Sequence, residues 1–352
     1  MASGAPGPTG RVGALDSLRL LAAGLVVVQH LFEGNGGWID RHIVAFEPGV
    51  AGVALFFFIS GYAIALASGD RVAVGPFLRR RLWRIYPLYL AVLAVLVLLG
   101  PTGVLPKWRF LADAGPVQWL ANLLLVQDFV RQRAFLGVSW TLIIELAFYA
   151  LFAAGLARRG ARAGGRLMVL AAAALLALAL ASLLVGVRVP LGRPLMILAA
   201  LLGWQCLRFH RGGLSARGLA GHVATFAVVA TVVTLIGFGR FHHATLDLAQ
   251  VMLPWAAATL LFLGVLLLPA LRGARWLSRG PLPWAGAASY SIYLLHPLAI
   301  EAASVHFAAQ RIAMALLLTA LFAAAGRVLV ERPGIALGRR FGAARLPLAV
   351  PR

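Results

Sequence analysis

Arg19 and His30 are the two residues of this sequence whose types and spacing most plainly suit chemistry. With Asp16 they stand inside the apolar run 15–32, where an ionisable group is costly and marks function by default. At 100° per residue the eleven-residue separation places them on nearly one helix face, about 16 Å apart along the axis. An imidazole titrating near neutrality can take a proton from a hydroxyl nucleophile, and a guanidinium fork can hold phosphate groups. The pair suits a phosphorylated thioester donor. A plainer alternative stays open, in which Arg19 snorkels to headgroups on one side and His30 sits at the interface on the other.

Further groups extend the pattern. Arg79, Arg80, Arg81 and Arg84 crowd the start of a later apolar run; Arg81 and Arg84, three apart on one helical face, can grip phosphate, while ordinary loop charge accounts for the other two. Glu145 lies in an apolar run entering from the side on which His30 lies. It can orient the imidazole directly or through a relay, or form a structural hydrogen bond to a nearby tyrosine or the backbone. Ser289, Tyr293 and His296 recur at i, i+4 and i+7, so they share a face that either lines the same cavity or bonds between helices. Gly49, Gly52 and Gly61 read as packing positions. Cys206 is the single cysteine, which excludes an intrachain disulfide and a cysteine-only metal cluster. His242 and His243 have no other ligand nearby in sequence, and no metal site is predicted.

The elements that position these groups are membrane helices. Of 352 residues 61% are hydrophobic and 12% charged, and the mean hydropathy is +0.89, far from a water-soluble domain. The sequence predicts an all-α polytopic protein with about ten transmembrane helices, near 15–33, 48–68, 86–100, 138–157, 167–187, 194–208, 218–238, 250–270, 284–304 and 311–330. The apolar piece 119–126 is too short to span and reads as interfacial or re-entrant within the long loop 101–137. With the N-terminus inside, twenty-one of the 32 Lys and Arg fall on the inner side and nine on the outer, so both termini are expected in the cytoplasm. The +21 net charge is thereby explained by topology, and no nucleic acid partner is expected. One membrane domain spans 1–352, with 1–10 and 347–352 expected to be disordered and the first helix retained as an anchor.

Arg19 and His30, an arginine and a histidine separated by ten residues, resemble the first helix of the acyltransferase 3 family of membrane proteins. The segment Gly49-Val-Ala-Gly52-Val-Ala-Leu-Phe56-Phe57-Phe58-Ile-Ser60-Gly61 is similar to that family's second helix, and Arg81-Leu-Trp-Arg84-Ile-Tyr-Pro87 to its arginine motif. Ser139-Trp140-Thr141-Leu142 with Glu145 and Tyr149, then Ser289-Tyr290-Ser291-Ile-Tyr293-Leu-Leu-His296-Pro297, and finally Glu331-Arg332-Pro333 follow in family order.

The resemblance implies a membrane O-acyltransferase that moves an acyl group, most often acetyl, from acyl-CoA to a hydroxyl of a glycan or glycosylated acceptor. It implies His30 and Glu145 as catalytic residues and Arg19, Arg81 and Arg84 as the groups that bind acyl-CoA, which serves as co-substrate without a permanently bound cofactor. Ser60, Trp140, Tyr149, Tyr293 and His296 would line the substrate cavity. The rival reading from a different class is a proton-coupled secondary transporter using His30 and Glu145 as proton-handling groups; the sequence lacks the paired broken helices that would favour it.

Overall fold

The computed structural model describes residues 13–69, 72–241 and 247–342, and among these every regular element is helical. The long helices are α1 (Gly13–Phe32), α2 (Pro48–Ser68), α3 (Val74–Leu99), α4 (Trp140–Arg159), α5 (Ala163–Val185), α6 (Gly192–His210), α7 (Ala216–Thr234), α8 (Leu248–Leu267), α9 (Ser289–His306), α10 (Arg311–Gly326) and α11 (Arg332–Gly342). The tails 1–10 and 347–352 and the pair His242-His243 lie outside the described residues.

Local chemistry sets many of these boundaries. Pro48 opens α2, where its missing N–H costs nothing. Ser215 caps α7 by accepting from the Gly218 N–H at 3.1 Å, and Asp247 with Gln250 forms a capping box at the start of α8, both bonds 2.9 Å. Single π-helical segments, Leu235–Arg240 after α7 and Arg327–Glu331 between α10 and α11, change the register of otherwise continuous helices.

Among the described residues eight helical stretches are long and apolar enough to cross a membrane, against the expectation of about ten. The remaining long helices are α6 and α9, of 19 and 18 residues. Both are largely buried inside the bundle, where polar side chains such as Gln205, Ser291 and His296 face protein rather than lipid, and Ser291 donates outside its own helix to Glu331. Small residues bring α6 close to α2: a Cβ at Gly61 would lie 1.7 Å from the Ala200 carbonyl oxygen, and one at Gly203 2.0 Å from that of Phe58.

Two boundaries differ from the sequence reading. Helix α3 begins at Val74 rather than near 86, so Arg79, Arg80, Arg81 and Arg84 are helical residues and not loop charge. The last helix continues past 330 through the π segment to Gly342. The segment between α3 and α4 folds into an ordered cap with a 3-10 stretch (Pro106–Asp113) and a short helix (Pro116–Leu123) that covers the expected interfacial piece. Buried Asn122 organises this cap. Its amide donates to the Arg133 carbonyl at 3.0 Å, its side-chain oxygen accepts from the Phe135 N–H at 2.8 Å, and its own carbonyl accepts from Tyr89 Oη at 2.8 Å.

Candidate active site

Helices α1, α2, α3, α4, α9 and α11, with the π segment Arg327–Glu331, surround one cavity of about 920 Å³. Its mouth lies at the basic end of the bundle, where α2 ends, α3 begins and the exposed Arg332 and Arg339 of α11 reach its wall. Arg19, Ser60, Arg81, Arg84, Glu145, Tyr149 and Tyr293 all line it. Trp140, His30 and His296 do not; Trp140 stacks beneath the Arg193 guanidinium, 5.1 Å from its ring centre.

The lower cavity is a charged network. Glu145 accepts a short hydrogen bond from Tyr149 Oη, one turn along α4. The Arg81 guanidinium lies over the rings of Phe77 and Tyr149, 5.3 and 5.5 Å from their centres, and its Nε is buried with no acceptor among the described residues. Arg84 stands within electrostatic reach of Tyr149, Glu331 and Glu145. Glu331, 2% exposed, accepts from Ser291 Oγ at 2.6 Å and lies 3.9 Å from Arg327 Nη1. Arg19 Nη1 donates to Asp16 Oδ1 at 2.7 Å. Opposite charges and hydroxyls thus compensate one another where isolated ions would be costly.

The far end of the cavity holds hydroxyls. Thr141 Oγ1 donates to Tyr293 Oη at 2.9 Å, and Tyr293 Oη donates to the Val138 carbonyl at 3.1 Å. One ring beyond this wall stands His296, 6.0 Å from the Tyr293 ring, and then His30, 5.0 Å from the His296 ring. His30 is exposed whereas His296 is fully buried. The His30 Nδ1 lies 2.9 Å from the Val26 carbonyl. Donation through Nδ1 leaves Nε2 with its lone pair, the tautomer a general base requires.

A direct pairing of His30 with Glu145 is not formed among the described residues. No hydrogen bond, ion pair or ring contact among the described residues joins them, because the early start of α3 carries Arg81 and Arg84 up to Glu145, while α9 supplies His296 as the neighbour of His30. The alternative of a structural hydrogen bond from a tyrosine is what the structure shows for Glu145. Sequence reasoning gave no site role to Glu331, Arg327, Arg332, Arg339, Tyr290 or Thr141, all of which line the cavity. The signal was present in Arg327, an ionisable residue inside the apolar span 311–330, and in Glu331 just beyond it, which ending the helix at 330 sets aside.

Comparison with known proteins gives this arrangement a context. A family model described as an acyltransferase domain matches residues 12–330. Exopolysaccharide production protein ExoZ of Rhizobium meliloti (strain 1021) is 32% identical over 316 residues, covering 84% of this chain and 92% of that protein. Acyltransferase MdmB of Streptomyces mycarofaciens is 30% identical over 155 residues, 40% of this chain, and the match spans 38% of that relative's length. No solved structure matches. With the family model covering nearly the whole chain and the bundle rich in membrane-capable helices, the chain belongs to the acyltransferase 3 family of membrane acyltransferases.

Proposed function

We propose that this enzyme transfers an acyl group, acetyl in the simplest case, from acyl-CoA to a hydroxyl of a carbohydrate or glycosylated acceptor. In this reading it sits in a bacterial cytoplasmic membrane with ten crossings and both termini inside, and the basic end of the cavity faces the cytoplasm. The observation that carries the reading is the continuity of the cavity from its arginine-lined mouth to Tyr293, with His296 and His30 directly beyond. A nucleotide held at the mouth can send its thioester arm inward, while an acceptor reaches the exposed His30 from the opposite side. The relative ExoZ, named for exopolysaccharide production, supports a glycan acceptor.

In the reaction His30 Nε2 takes the proton of the acceptor hydroxyl as its oxygen attacks the thioester carbonyl. The C–O bond forms, the C–S bond breaks on collapse, and the imidazolium returns the proton to the departing thiolate, leaving an ester and CoA. Tyr293 and Thr141 shape the passage through which the arm arrives. Glu145 holds the arginine wall through Tyr149 and its electrostatic contact with Arg81 and Arg84.

The test is acceptor-dependent release of CoA from radiolabelled acetyl-CoA by the purified protein, with a glycan extract as acceptor. Wild type should release CoA and label the glycan, and His30→Ala should do neither. Turnover in His30→Ala equal to wild type would overturn the assignment of the base, and wild type that binds no CoA would overturn the donor.

A further inference from the structure

The family model ends at residue 330, yet the cavity wall continues along α11. Gly334 and Gly338 press this helix against α3: a Cβ at Gly334 would lie 2.8 Å from Pro87 Cγ, and one at Gly338 2.6 Å from Trp83 Cβ. Phe341 stacks on Trp83 with ring centres 6.0 Å apart. Arg332, Ile335, Ala336 and Arg339, at i, i+3, i+4 and i+7, are thereby turned to the cavity. Arg332 and Arg339 are exposed, and neither makes a hydrogen bond or ion pair among the described residues. They differ in this from the compensated Arg19 and Arg327.

The hydrogen bond from Ser291 to Glu331 fixes the relative level of α9 and α11. From that level His296 stands five residues up α9, about 7.5 Å, and Arg339 eight residues down α11, about 12 Å. The pantetheine arm from phosphate oxygen to sulfur has about twelve bonds, as many as roughly four extended residues, and so reaches about 14 Å at most. With the sulfur level with His296, the pyrophosphate falls roughly 6.5 Å below Glu331, between Arg332 and Arg339 and across from Arg81. The ribose places the 3′-phosphate one sugar farther out, at Arg339.

We propose that α11 is the second wall of the donor site, with Arg332 on the pyrophosphate and Arg339 on the 3′-phosphate of the CoA nucleotide. This rests on acyl-CoA being the donor. The experiment measures binding of CoA and of 3′-dephospho-CoA to the purified full chain, comparing wild type with Arg339→Gln, Arg339→Lys and Arg340→Gln. Arg340 carries the same charge in the same turn but does not line the cavity.

Wild type and Arg340→Gln should each bind CoA roughly tenfold tighter than dephospho-CoA, the worth of a charge-assisted hydrogen bond. Arg339→Gln should bind both nucleotides equally, at the wild-type affinity for dephospho-CoA, and Arg339→Lys should keep part of the preference. A full preference in Arg339→Gln, an equal loss in Arg340→Gln, or the absence of any preference in wild type would overturn the proposal and leave the donor assignment intact. Wild type that binds neither nucleotide would instead defeat the donor assignment, and this proposal with it.

Discussion

At the mouth of the cavity four helices and the π segment bring guanidinium groups together with Glu145, Glu331 and Asp16, each carboxylate held by a hydroxyl or an arginine. At the far end the same cavity meets Thr141 and Tyr293, then two imidazoles, with no guanidinium among its lining groups there. The difference is a division of labour that elementary electrostatics would require. Phosphates need fixed positive charge, which is bearable at membrane depth only if compensated. Proton transfer needs a base that can change its charge, which a dense field of arginines beside it would impede.

The largest effect should come from the far end. His30→Ala is expected to lower turnover by roughly a hundred- to ten-thousandfold, the usual worth of a general base, with the affinity for CoA unchanged by calorimetry. A matching loss of affinity would erase the distinction between the two ends. At the mouth, Glu331→Ala removes the acceptor of Ser291 and the counter-charge of Arg327 and Arg84. It should destabilise the fold by about 3 kcal/mol, read as a lower unfolding temperature in detergent.

His296→Leu sharpens the contrast differently. The buried Nε2 of His296 has no hydrogen-bond partner among the described residues, so its removal should leave the unfolding temperature at or above that of wild type, while turnover falls about tenfold as His30 loses the ring beside it. A drop in stability would assign His296 to the packing alone. The smallest change belongs to Tyr293→Phe, which deletes one hydroxyl bonded to Thr141 and Val138. About 1 kcal/mol of stability should be lost, measurable by the same melting assay.

These contrasts also show which parts of the molecule the sequence could disclose. Helix α2 was read at 48–68 and observed at Pro48–Ser68, because its apolar run is uninterrupted and a proline opens it. The start of α3 and the continuation into α11 were missed for one shared reason. Arg79 and Arg80 before the one apolar run, and Glu331 and Arg332 after the other, look like loop charge because charge marks the end of an apolar run rather than the end of a helix. The residue types of the site were legible, as Arg19, Arg81, Arg84, Glu145 and Tyr293 all reach the cavity. The pairing of His30 was not, since nothing in spacing along the chain distinguishes Glu145 from His296 as its neighbour. The cap between α3 and α4 was equally hidden, because Asn122 joins segments that apolar periodicity does not connect.

Titrating CoA into wild type, His30→Ala and Arg81→Gln separates a donor site at the basic end of the cavity from proton transfer at the other. His30→Ala should keep wild-type affinity and Arg81→Gln should bind at least about tenfold more weakly; equal weakening in both variants, or none in Arg81→Gln, would rule out this division of the cavity.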